Sequence, residues 1–127
     1  MKYLTVREAL DLAEFACAGQ EVALRDPGLL GSALHRPQTQ VFGVEAYPDL
    51  FEKAAALLQS ITSNHPFVDG NKRTAWMCAV VFLDINGVDM ADIDQEQAYG
   101  LVIDIAAGKT EDVTRIAQEL RALRCCG

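Results

Sequence analysis

No apolar stretch in this chain runs longer than Ala75–Leu83, far short of the roughly 20 residues that span a bilayer. Nor is there a basic excess: 11 Lys and Arg stand against 18 Asp and Glu, a net charge of −7. Such a chain gains nothing from counterion release on a phosphate backbone, which argues against direct nucleic-acid binding. The acidity favours a basic partner, although solubility alone would explain it. The opening Met1-Lys2-Tyr3-Leu4-Thr5 lacks the apolar core and small-residue cleavage site of a secretory signal. Cys17, Cys78, Cys125 and Cys126 have no metal-ligand spacing, and adjacent cysteines bridge each other only with strain. Cys78 reads as a small core residue, while Cys125 and Cys126 are expected on a frayed tail. A reduced cytoplasmic protein, away from membranes, is the expectation. Repeats, low-complexity tracts and linkers are also missing, so the 127 residues, 50% hydrophobic, fit a single domain over residues 1–127.

What is present is a series of helical patterns punctuated by glycine and proline. Thr5-Val6-Arg7-Glu8 is a capping box, followed by an apolar stripe of Leu10, Ala13, Ala16 and Cys17. Asp26-Pro27 is an N-cap and first-turn pair for a short helix. His35 joins no constellation and is expected on the surface. From His35 to Tyr47 the periodicity fails, and Gln38–Val44 is β-prone with a glycine inside it, an exposed loop or small hairpin. Pro48-Asp49 restarts a helix that should end near Asn64, because Pro66 disfavours helical geometry at the residue before it. The next helix begins at Gly70 or Asn71 and runs to Asn86 with Gly87 as its C-cap. Its apolar content, Trp76 and Met77 included, predicts that it is the buried centre of the bundle. Asp94 opens another helix that Gly108 stops, and Thr110-Glu111-Asp112 opens the last, with Arg121 and Arg124 near its negative dipole end.

The turn between the two long helices concentrates His65, Asp69, Gly70, Asn71, Lys72 and Arg73. A helix starting there presents unpaired backbone N–H groups and a positive dipole end, together an anion site. Gly70 lets the backbone approach a ligand without a Cβ in the way. Lys72 and Arg73 add a point charge and a bidentate fork for phosphate oxygens. Asp69 is a hard oxygen ligand suited to a Mg²⁺ that bridges phosphates, and His65 has the side chain suited to a general base near neutral pH. A base, a metal ligand, an anion cradle and two cations are the parts of phosphoryl or nucleotidyl transfer, in which catalysis is mainly positioning and charge neutralisation.

The stretch His65-Pro66-Phe67-Val68-Asp69-Gly70-Asn71-Lys72-Arg73-Thr74-Ala75 resembles the active loop of the Fic/Doc family. That signature is His-x-Phe-x-Asp/Glu-Gly-Asn-Gly/Lys-Arg, matched here at every specified position. Lys72 followed by Arg73-Thr74-Ala75 is similar to the Doc (death-on-curing) branch. The wider likeness runs from Asp26-Pro27-Gly28 through Asp49-Leu50-Phe51-Glu52 to Phe82-Leu83 and Asn86-Gly87-Val88. The resemblance implies an all-α, six-helix Fic/Doc-like bundle with a small β-prone flap. It implies that His65 deprotonates a target hydroxyl, that Asp69 holds Mg²⁺, and that Gly70, Asn71 and Lys72 cradle the phosphates of ATP while Arg73 clamps them. Phe67 becomes the apolar anchor of the loop. Gln38–Val44, with Gln40, Val41, Phe42, Gly43 and Val44, corresponds to the flap that docks target polypeptide by strand addition.

The function so implied is that of a toxin-type protein kinase. It would transfer the ATP γ-phosphate to a Ser/Thr hydroxyl of a translation factor of the elongation factor Tu class, arresting translation. Its partner would be a Phd-type antitoxin whose disordered tail folds onto it. AMP-transferring Fic enzymes carry glycine where this chain has Lys72 and a second arginine where it has Trp76. Lys72 fills part of a bare anion hole, so the phosphate chain must shift or reverse, and in the Doc branch the γ-phosphate faces the nucleophile. Pro66 and Gly70, by contrast, are more usual in the AMP-transferring relatives. AMP transfer to a protein hydroxyl is therefore the alternative. A non-catalytic binding module on the same fold is a third reading, against which the complete loop argues.

Overall fold

The computed structural model describes residues 1–19 and 22–125. Its order is α1 (Val6–Ala16), α2 (Pro27–His35), a 3-10 turn (Arg36–Gln38), β1 (Gln40–Val41), β2 (Val44–Glu45), α3 (Leu50–Asn64), α4 (Asn71–Ile85), α5 (Gln95–Ala106) and α6 (Val113–Cys125). The all-α bundle with one small hairpin is as the sequence predicts. Local chemistry sets the helix starts. Thr5 and Glu8 close a capping box on α1, Asp26 Oδ1 accepts the Leu29 N–H at 3.1 Å, and Asp49 with Glu52 closes a second box on α3. Asp94 caps α5, and Asp112 Oδ1 accepts the Thr114 N–H at 3.1 Å ahead of α6. At the end of α4 the helix stops at Ile85, one residue earlier than expected, and Asn86 ties Lys2 to it through both ends of its amide. Arg121 donates to Asp49 rather than to the end of its own helix, and its guanidinium lies 4.6 Å over the Phe51 ring. Cys125 is the last residue of α6, and Cys126, with the expected tail, lies outside the described residues. Among the described residues no helix is long and apolar enough to cross a membrane.

The centre of the bundle is α3, not α4. α3 lies against α2, the 3-10 turn, α4, α5 and α6. Ala54, Ala55, Ala56, Leu57, Leu58 and Ile61 are all buried on it, small residues allowing neighbours close on several sides. Each fully buried Leu or Ile contributes about 1.5–3 kcal/mol. In α4 the buried stripe is Thr74, Ala75, Cys78, Ala79, Phe82 and Leu83, while Trp76, Met77, Val80, Val81 and Ile85 are only half-buried. Apolar residues are not confined to interiors, so the apolar character of α4 overstated its burial.

The hairpin is small and outward. Gln40 pairs with Glu45 and Val41 with Val44 in antiparallel register. Phe42 and Gly43 make the turn with φ of 51° and 78°, the positive pair that a two-residue hairpin turn needs. It starts two residues later and ends one later than the expected β-prone segment, since Gln38 closes the 3-10 turn and Glu45 belongs to β2. Phe42 is 100% exposed. Two basic residues fix the base of the hairpin to α3. Lys53, 1% exposed, donates to Glu45 Oε1 at 2.9 Å and to the Pro37 carbonyl at 3.3 Å. Arg36 donates to the Tyr47 hydroxyl at 3.2 Å, to Ser60 Oγ at 2.7 Å and to the side-chain oxygen of Gln59.

A buried ammonium tolerates burial only when paired. Glu45→Ala should therefore destabilise the fold by about 1–3 kcal/mol, less than for an enclosed pair because Glu45 is still partly solvated. Lys53→Met, of similar volume and uncharged, should stay within about 1.5 kcal/mol of wild type. Denaturant melts of the two variants check the contrast, and equal losses would refute it.

Candidate active site

Helix α3 ends where Pro66 makes further helix unfavourable, and His65 closes it in the left-handed conformation, φ 52° and ψ 61°. Such a conformation costs a non-glycine residue about 1–2 kcal/mol and persists only where neighbours enforce it. Here they do. Arg25 donates from Nε to the His65 carbonyl at 2.7 Å and from Nη2 to the Asn64 carbonyl at 2.8 Å. The backbone N–H groups of Arg25 and Asp26 both donate to the Pro66 carbonyl, at 2.8 and 3.0 Å. Leu24 then pairs with Phe67 across an antiparallel bridge, and the Val68 N–H donates to the Ala23 carbonyl at 2.9 Å.

Phe67 is the core anchor, 1% exposed. Burying it also buries its backbone, and the Asn71 side chain answers both polar groups: its Oδ1 accepts the Phe67 N–H and its Nδ2 donates to the Phe67 carbonyl, each at 2.9 Å. The Asn71 side chain is thus a loop fastener, and what it offers a ligand is its backbone amide. Gly70, φ 77°, is the N-cap of α4 and has no side chain to satisfy the helix start. The amides of Asn71, Lys72 and Arg73 are accordingly left uncapped. Asp69 does not cap the helix; its Oδ1 accepts the Gly70 N–H at 2.8 Å.

These groups line one cavity of about 530 Å³, within the size range of small-ligand sites. His65, Asp69, Gly70, Asn71, Lys72 and Arg73 all face it, so the structure brings together every loop residue singled out in the sequence. The hairpin residues Gln40, Val41, Phe42, Gly43 and Val44 do not line it. His65 Nδ1 sits 3.1 Å from the Ser63 carbonyl. A carbonyl can only accept, so the neutral imidazole carries its proton on Nδ1 and keeps a lone pair on Nε2. Among the described residues Lys72 and Arg73 have no carboxylate partner. No three His, Cys, Asp or Glu side chains converge among those residues either. Asp69 alone is no metal cage, but it fits the sparse protein ligation of a Mg²⁺ that also takes phosphate and water oxygens.

Several residues at or around the site escaped the sequence reading, Val22, Ala23 and Val68 of the lining among them. Arg25 gave no local signal, because its partners lie 39 and 40 residues away. Cys17, read as part of the α1 stripe, is instead its C-cap and lines the cavity. It touches the loop so closely that a Cβ built on Gly70 would stand 2.7 Å from its Sγ. Cys78 is the opposite case, a thiol whose burial pushes its pKa up to about 12.

A family profile described as Fic/DOC family matches residues 3–83. The toxin Doc of Mycolicibacterium smegmatis is 49% identical over 120 residues, covering 94% of this chain and 91% of that protein. The protein kinase doc of Escherichia phage P1 is 33% identical over 125 residues, covering 97% of this chain and 96% of that protein.

Gly70→Ala should destabilise the protein by about 1–3 kcal/mol, through positive φ and the clash with Cys17. Adding Cys17→Ala should recover part of the loss, a coupling that a double-mutant melting cycle measures. With a thiol reagent near pH 8, peptide mapping should find Cys17 modified and Cys78 intact, because only thiolate reacts and Cys78 stays protonated well past that pH. Modification of Cys78 in the folded protein would contradict its burial.

Proposed function

Since the chain belongs to the Fic/Doc family, in its Doc branch, we propose that it is a toxin-type protein kinase that transfers the ATP γ-phosphate to a serine or threonine of a translation factor of the elongation factor Tu class. A Phd-type antitoxin would neutralise it. One arrangement supports the reading best: His65, its Nδ1 engaged by the Ser63 carbonyl, faces the same cavity as the uncapped start of α4 and the unpaired cations Lys72 and Arg73. The phage P1 relative is itself called a protein kinase, which favours phosphoryl over AMP transfer.

His65 Nε2 takes the proton of the target hydroxyl as its oxygen bonds to the γ-phosphorus. The bond from that phosphorus to the β–γ bridging oxygen breaks, and ADP leaves with the electron pair. The amides of Asn71 and Lys72 and the side chains of Lys72 and Arg73 hold phosphate oxygens through this exchange, where charge stabilisation is most of the catalysis. Asp69 would hold a Mg²⁺, which would supply positive charge to the phosphates when bound. Gly70 keeps the backbone bare at the point of closest approach. The hairpin, outside the cavity with Val41, Phe42 and Val44 exposed, would receive target backbone along an open strand edge.

Labelled ATP tests the reading. With elongation factor Tu as the acceptor, γ-label should appear on it and α-label should not. α-Label on the target would make the protein an AMP transferase, the reading that Pro66 and Gly70 favour. No label on any acceptor would leave a binding module. His65→Ala should lower transfer by about 10²–10⁴-fold with an unchanged melting curve. Asp69→Ala should flatten the Mg²⁺ response, and an unaltered response would rule it out as the metal ligand.

A further inference from the structure

The carbonyls of Asn64, His65 and Pro66 close the C-terminal end of α3, where a helix leaves its acceptors unpaired and its dipole negative. One residue from a distant segment grips all three. The Arg25 guanidinium takes the first two, at 2.8 and 2.7 Å, and the Arg25 backbone N–H takes the third at 2.8 Å. The neighbours of Arg25 extend the grip, Leu24 to Phe67 and Ala23 to Val68. Residues 23–26 are thus a strap laid along the loop.

We propose that Arg25 is the positioning residue that sets the orientation of His65. This rests on His65 being the base. His65 is held in a left-handed conformation, uncommon for a non-glycine residue, and from it the imidazole Nδ1 lies 3.1 Å from the Ser63 carbonyl. Rotating the residue back to ordinary backbone would swing its carbonyl away from Arg25 and Nε2 away from the cavity. No carboxylate among the described residues pairs with Arg25, and its neighbour Asp26 is engaged in capping α2. Its charge is therefore directed at the helix-end carbonyls. Arg25 does not line the cavity, so it acts through His65 and not on the phosphates. A planar fork spans two adjacent carbonyls, whereas an ammonium is a point donor.

Arg25→Met and Arg25→Lys, compared with His65→Ala, test this by kinetics and by proton NMR of the imidazoles. The chain has 2 histidines, so His35, exposed at the end of α2, is an internal control. Arg25→Met should lower kcat by about 10- to 100-fold, the scale of a small misplacement of a reacting group. KM for ATP should change less than about twofold. The His65 ring resonances should shift or broaden while those of His35 stay in place. Arg25→Lys should recover part of kcat and supplies the same test if Arg25→Met does not fold. An unmoved His65 resonance would overturn the proposal whatever the rate, and a rise in KM for ATP with kcat intact would make Arg25 a phosphate contact instead. If His65→Ala transfers phosphate as well as wild type, the base assignment fails, while the resonances still report whether Arg25 sets the ring.

Discussion

Asn71 closes both ends of its side-chain amide on the backbone of Phe67, and the reactive loop depends on that closure. Phe67 brings the loop into the core, but its N–H and carbonyl come with it, and each would cost about 1–3 kcal/mol if left unpaired. With a side chain from the first turn of α4 answering both, the loop is short, dry at its base and joined to the helix it feeds. The cap position is then left to Gly70, and the helix start opens on the cavity instead of on a capping side chain. Anchor and anion cradle are two outcomes of one amide.

Charge is distributed against the average. The chain is acidic at −7, yet its cavity presents Lys72 and Arg73 beside the single carboxylate of Asp69. Four other cations are engaged by the fold: Lys53 and Arg36 at the hairpin base, Arg121 on Asp49, Arg25 on helix-end carbonyls. A net charge counts all of these equally, whereas a ligand in the cavity meets Lys72 and Arg73. Local potential in a cleft follows the unpaired groups lining it.

The sequence was most legible where the chemistry is local. Thr5, Asp26, Asp49 and Asp94 each cap the helix they announce, and the run from His65 to Arg73 forms one wall of a cavity. Legibility fell where distance or environment decides. The apolar run of α4 predicted a central helix, but the small residues of α3 admit neighbours on more sides. Lys53 gave no sequence signal, since its partner Glu45 sits at the end of β2, outside the helix. Arg25 and Cys17 reach the loop from separate elements, and no spacing rule links them to it.

The contact between Cys17 and Gly70 leaves room for one side chain where two positions meet. A Cβ at residue 70 costs less once position 17 has shrunk, although the positive φ there remains, while a smaller residue at 17 meets no obstacle with glycine still in place. The two changes therefore have a preferred order. A lineage that takes the changes in the other order passes through a protein with a strained loop beside His65, so drift at an unremarked helix end influences which residues the cavity-lining turn can explore.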